Sequence, residues 1–310
     1  MRARVFATAA AAMALSALAP SQAQAFCRMW TCDKTKEDCP KTDPDNPLCQ
    51  NGGDPARHKR LYWPQPCIGF SIQQDTSTVI PGAVDVRYAL VEKIANTAFA
   101  TWQNAKCSDG NPPSLAFADL GAVACRHQEY NPKQGNANII MFREDSWPYK
   151  DSNAYAITTD TYNVESGEIY DADIEVNAHP LGGSITTGDT GVSVDLLSIL
   201  THEAGHFLGL GLSPDPNSAM YFDYKVGTTD HRVLGADDVA GVCAIYPSTR
   251  TNLPACDPTP RHGLATDCAE VTTSPSGCST SGGPASMAGG LAATLASIAA
   301  ALVARRRRRS

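Results

Sequence analysis

His202-Glu203-Ala204-Gly205-His206 is the stretch of this chain whose residue types and spacing can do chemistry. On a helix, residues four apart share a face and lie about one turn, or ~6 Å, apart along the axis. Two imidazoles so placed can grip one Zn²⁺, and the carboxylate beside the first can act as a base toward a water on that metal. The pentapeptide alone is a weak signal, because two exposed histidines beside a glutamate arise in ordinary helices. Its surroundings strengthen it. Residues 192–201 lead into the motif as an apolar helical face, with Leu196, Leu197, Ile199 and Leu200 able to anchor the helix in a core. Gly209, three residues after His206, suits the positive φ that ends a helix and turns the chain sharply. Asn217-Ser218-Ala219-Met220-Tyr221 follows.

Together these residues resemble the matrixin branch of the metzincin metallopeptidases, whose signature is H-E-x-x-H-x-x-G-x-x-H followed by a methionine turn. The match falls on His202, Glu203, His206, Gly209 and Met220. Residues 232–247 resemble the family's closing helix, and residues 167–177 its strand along the substrate cleft; the resemblance covers roughly residues 60 to 247. It implies an α+β domain with a twisted, mainly parallel sheet and one antiparallel strand at the cleft edge. A long N-terminal helix, an active-site helix and a closing helix accompany the sheet. It also implies a zinc endopeptidase acting on proteins or peptides. His202 and His206 would be metal ligands, Glu203 the catalytic base and Met220 an apolar floor beneath the metal.

One departure stands out. The family's third ligand follows the second histidine by six residues, and here that residue is Leu212, which cannot bind zinc. Zinc sites normally use at least three protein ligands. Asp215 follows closely, although Pro214 and the register of the turn argue against it. His179 or His231 could reach in from a neighbouring loop. Asp230, in Gly227-Thr228-Thr229-Asp230, faintly resembles the ligand of a related zincin motif whose remaining residues are missing. With no replacement, the chain would be a catalytically silent metzincin-fold module that binds extended peptides at the cleft-edge strand by β-augmentation.

The ends of the chain carry a separate message. Residues 1–25 read as a secretory signal peptide: Arg2 and Arg4, an apolar run, then Ala23-Gln24-Ala25 as a cleavage site before Phe26. Residues 26–59 form a Cys-rich segment with too few apolar residues to fold without staples. Residues 60–247 are the metallopeptidase-like domain, and residues 248–284 a Ser/Thr/Pro/Gly-rich linker. Residues 285–310 hold an uncharged apolar stretch of roughly bilayer length and then Arg305 to Arg309, as a membrane span with a cytoplasmic end would. With Gly277-Cys278 before it, this end resembles the C-terminal sorting tails of myxobacterial surface proteins. That implies an extracellular or cell-surface location, with retention through the tail. In an oxidising compartment most of the eleven cysteines should pair, with Cys278 the odd one out. A formal charge of −7 provides no basic field for nucleic acid.

Periodicity places the remaining elements. Alternating Ile68, Phe70 and Ile72 predict a strand over residues 67–73, and Leu90, Val91, Ile94, Ala95, Ala98, Phe99 and Trp102 stripe a helix over 85–105. Further strands are expected at 115–120, 138–142, 154–161 and 168–177. On the last of these Asp171, Asp173 and Glu175 alternate. Hard oxygen ligands suit Ca²⁺, so a calcium site there is possible, but a solvated strand face is the simpler expectation.

Overall fold

The computed structural model describes residues 26–36, 39–40, 56–149, 154–179, 185–267 and 294–295. Strand β1 (Cys67–Gln73) pairs in parallel with β2 (Ala116–Val123) on one side and β3 (Ile139–Arg143) on the other. Strand β5 (Ile169–Asn177) runs parallel to β3, and β4 (Ala156–Tyr162) pairs antiparallel with β5. Two short strands, β6 (Ile185–Thr186) and β7 (Val194–Asp195), pair apart from this sheet. The two-residue β8 (Thr294–Leu295) lies antiparallel along the outer edge of β4, so the main sheet has the order β2-β1-β3-β5-β4-β8. This is the mainly parallel α+β architecture expected above.

Helix α1 (Val84–Gln103) buries Val91, Ile94, Ala95, Ala98, Phe99 and Trp102, the stripe expected from its period. Phe99 stacks on Phe70 of β1 with ring centroids 4.4 Å apart. Trp102 binds the next helix, donating from Nε1 to the Thr201 carbonyl at 2.8 Å. Helix α2 (Leu196–Phe207) carries the histidines and is buried along nearly its whole length. It starts four residues later than the apolar run suggests. Val194 and Asp195 belong to β7, and the Asp195 carboxylate accepts from the Ser198 amide at 2.8 Å as the N-cap. Helix α3 (Ala236–Ile245) closes the domain and is joined to the chain just after α1 by the Cys107–Cys243 disulfide.

Both flanks of the domain are knitted into it. Residues 27–31 lie between residues 59–61 and residues 209–211, through Met29 N to Gly209 O (2.9 Å), Gly211 N to Cys27 O (2.9 Å) and Leu61 N to Met29 O (3.0 Å). Cys32 pairs with Cys39, and Cys27 and Cys125 are also disulfide-bonded. Residues 248–267, read from sequence as the start of a linker, are held against the sheet. The Cys67–Cys256 disulfide, the Ala124 N to Thr266 O bond (2.7 Å) and Arg261 over the Tyr170 ring (3.9 Å) fix them there.

A second correction concerns Asp171, Asp173 and Glu175, which are fully buried rather than solvated. Alternation on β5 is real, but the outer face of the sheet is itself covered by neighbouring loops. Asp173 accepts from the amides of Ile139 (2.9 Å) and Glu129 (3.2 Å), and Glu175 from Arg143 and Tyr149. Asp171 keeps both carboxyl oxygens without a hydrogen bond, and burial pushes its carboxyl well above the usual range. The expected signal peptide (1–25) lies outside the described residues, as does the expected membrane span apart from Thr294 and Leu295. Among the described residues, no helix is long and apolar enough to cross a membrane.

The turn after α2 depends on Gly209, which has φ of +88°; a Cβ there would stand 2.7 Å from the Leu61 carbonyl oxygen. Gly209→Ala is therefore expected to lower stability by at least about 2 kcal/mol, from left-handed strain plus backbone collision. Denaturant midpoints compared at constant m-value check this, and an unchanged midpoint would refute the need for glycine at this turn.

Candidate metal centre

The site is built on α2. His202 and His206 face each other with ring centroids 4.9 Å apart and planes at 81°. Each ring is held by its Nδ1, His202 donating to the Ala219 carbonyl at 2.7 Å and His206 to the Leu210 carbonyl at 2.8 Å. A carbonyl can only accept, so each Nδ1 carries the proton and each Nε2 keeps its lone pair. His206 Nε2 is buried with no hydrogen-bond partner. Burial pushes the His202 imidazolium well below the usual range, helped by His206 and His231, and brings His206 down to about 4. Both rings are thus neutral near pH 7, the form that binds metal.

The carbonyl that holds His202 is itself held from α3. Asp238 accepts from the amides of Ala219 (2.6 Å), Met220 (3.2 Å) and Gly235 (2.7 Å), and from the Ser218 hydroxyl. This carboxylate shapes the turn whose Met220 side chain packs under α2. A Cβ on Gly205 would lie 2.1 Å from Met220 Sδ and 2.7 Å from Trp102, so the residue between the two histidine turns has room for no side chain. Met220 is buried, 2 % exposed.

Glu203 is buried beside the pair, with the Thr158 hydroxyl of β4 2.7 Å from its Oε2. Burial pushes its carboxyl up to about 7, against the opposing pull of the Thr158 hydrogen bonds. Neither Thr158 nor Asp238 stood out in the sequence. Thr158 gives no signal within a predicted strand, and Asp238 was visible only as part of the closing-helix pattern.

Leu212 is buried, 6 % exposed, at the position the signature gives to histidine. Of the residues weighed as replacements, three are placed elsewhere. Asp215 binds Asn217 through its amide and side chain, both at 2.9 Å. His179 is exposed and directs Nδ1 to the Glu144 carbonyl at 2.7 Å, and Asp230 is exposed at the surface. His231 alone comes to the site, its ring 5.9 Å from that of His202 and nearly parallel to it, at 16°. Among the described residues, no three His, Cys, Asp or Glu side chains are gathered into a closed metal cluster as they stand. The donor set nevertheless fits zinc: neutral imidazoles with fixed tautomers, an orphaned buried Nε2 and an adjacent carboxylate.

Comparison with known proteins agrees with this geometry. Residues 68–247, more than half of the chain, match the family Peptidase_M10: Matrixin. Human matrilysin is similar at 38 % identity over 60 residues, 19 % of this chain and 22 % of matrilysin. Metalloendoproteinase 1-MMP of Arabidopsis thaliana is 46 % identical over 59 residues, 19 % of this chain and 16 % of that protein. Human neutrophil collagenase is 39 % identical over 61 residues, 20 % of this chain and 13 % of the collagenase. The aligned stretches thus cover less than a quarter of these relatives' own lengths. With the sheet order, the paired histidines and the methionine beneath them, the match over residues 68–247 means that the chain belongs to the matrixin family.

Proposed function

We propose that this protein is a zinc metalloendopeptidase, with His202 and His206 as metal ligands and Glu203 as general base. The observation that carries the reading is the paired Nδ1–H to carbonyl bonds, which fix both rings with their metal-binding nitrogens free. Zinc, when bound, polarises the scissile carbonyl and acidifies the attacking water. The chain's own residues supply the rest. Glu203, with a carboxyl near neutrality, is matched to accept a proton from that water and return it to the leaving amine. Thr158 orients the carboxylate, and burial of the site limits competition from bulk solvent. Strand β4 borders Glu203 and pairs on its outer side with the two residues of β8, the backbone pairing that an extended peptide would use along this strand. The protein is exported through residues 1–25 and retained at the cell surface by its C-terminal segment, so its substrates are extracellular proteins or peptides.

Three outcomes test this reading. Glu203→Gln is expected to lower proteolysis of a casein-type substrate by about 10²–10⁴-fold while zinc content is unchanged. Full activity in that variant would remove Glu203 from the chemistry, and a parent protein that binds neither zinc nor cleaves peptides would leave the silent peptide-binding reading. Secreted protein is expected to begin at Phe26 on mass-spectrometric sequencing; retention of Ala23-Gln24-Ala25 in secreted protein would contradict the assigned cleavage.

The third is a pH dependence of the metal-free protein. The Glu203 carboxyl is raised from 4.5 to about 7 on folding. The folded state therefore binds the proton more tightly than the unfolded state, and stability falls as pH rises between those values. At ~1.4 kcal/mol per pH unit the fall amounts to roughly 3 kcal/mol. Glu203→Gln lacks this proton, so the stability of parent minus variant is expected to decline from pH 4.5 to 7. Parallel denaturation profiles across that range would show that the carboxyl is not desolvated.

A further inference from the structure

The departure at Leu212 leaves a matrixin with one ligand too few, and the position of His231 bears on that gap. Two imidazoles bound to one tetrahedral metal at ~2.0–2.1 Å have ring centroids about 5 Å apart. The His202–His206 separation of 4.9 Å meets that spacing, and the His202–His231 separation of 5.9 Å comes within about an ångström of it. His231 is 4 % exposed, and its Nδ1 is buried with no hydrogen-bond partner. A buried imidazole nitrogen without a partner costs free energy unless it acquires one.

The residue that follows His231 pins it. The short 3₁₀ turn Asp230–Arg232 is clamped to the start of α2 by Arg232. Its guanidinium donates from Nε to Asp195 Oδ2 at 2.8 Å and from a second nitrogen to Asp195 Oδ1 at 2.6 Å. Asp195 is the N-cap of α2, so one carboxylate sets both the helix that carries His202 and His206 and the turn that carries His231. The same turn leans on Tyr224, whose ring lies 5.5 Å from His231 and whose hydroxyl accepts from the Asp195 amide at 2.9 Å.

We propose that His231, reaching in from the turn clamped by Arg232, supplies the third imidazole to the metal in place of the residue at position 212. This rests on the zinc reading given above and deepens it. The ligand set becomes His202, His206 and His231, with Leu212 a packing residue.

The test uses the exported chain and the metal itself. His231→Phe keeps a ring stacked on His202 and removes the donor nitrogen. Zinc affinity is measured by competition with a chromophoric chelator, and the ligand field by the visible absorption of the Co²⁺-loaded protein. The expected result is at least about a 100-fold weaker zinc affinity in His231→Phe, with an altered Co²⁺ spectrum. Affinity is expected to recover in Leu212→His/His231→Phe, where the ligand returns to the signature position. Should His231→Phe fail to fold, judged by circular dichroism, His231→Gln gives the same readout. Parent-like zinc affinity and Co²⁺ bands in a folded His231 variant would overturn the proposal while leaving the zinc reading intact. A parent protein that binds neither ion would overturn both.

Discussion

The hydrogen bond from His202 Nδ1 to the Ala219 carbonyl is the interaction on which the site depends. It decides which ring nitrogen carries the proton, and so which one can meet a cation. Its acceptor is set by the turn around Met220, that turn by Asp238, and Asp238 by its place on the buried face of α3. The His206 ring repeats the device through Leu210, in the segment that Gly209 reverses and residues 27–29 pair with. The scaffold holds neutral imidazoles in one tautomer before any ligand arrives, so less ordering remains to be done on binding.

That arrangement is costly without a cation. His202, Glu203 and His206 are all buried, and burial opposes the charged form of each. Asp160, on the same strand as Thr158, is also fully buried with no hydrogen bond to either carboxyl oxygen, and burial together with the Glu203 charge pushes its carboxyl well up. Desolvated titratable groups of this kind cluster at functional sites, although structural networks also perturb such groups. The fold offsets the cost with aromatic packing: Trp63, Phe70, Phe99, Trp102 and Phe207 are all nearly inaccessible to solvent.

Much of this was legible in the sequence because it is periodic or local. Strand β1 has the bounds that its alternating Ile68, Phe70 and Ile72 imply, and the α1 stripe buries as its spacing predicts. The H-E-x-x-H spacing and the turn at Gly209 are likewise local signals. What escaped depends on tertiary cover. The acidic alternation on β5 looks half-exposed until the loops that bury Asp171, Asp173 and Glu175 are in place. Residues 248–267 look like a linker until Cys256 is joined to Cys67, a pairing that spacing cannot specify. Four candidates could be written down for the gap at Leu212, and only the folded chain shows that His231 lies beside His202 while Asp215, His179 and Asp230 are placed elsewhere.

The central claim is that these pre-aligned imidazoles seat a cation despite the leucine at position 212. The most direct measurement is the zinc content of the purified protein after equilibration with micromolar zinc and removal of loosely held metal. The account predicts about one zinc per chain, lost when His202 and His206 are both replaced by alanine. A folded parent protein that emerges free of zinc would contradict it.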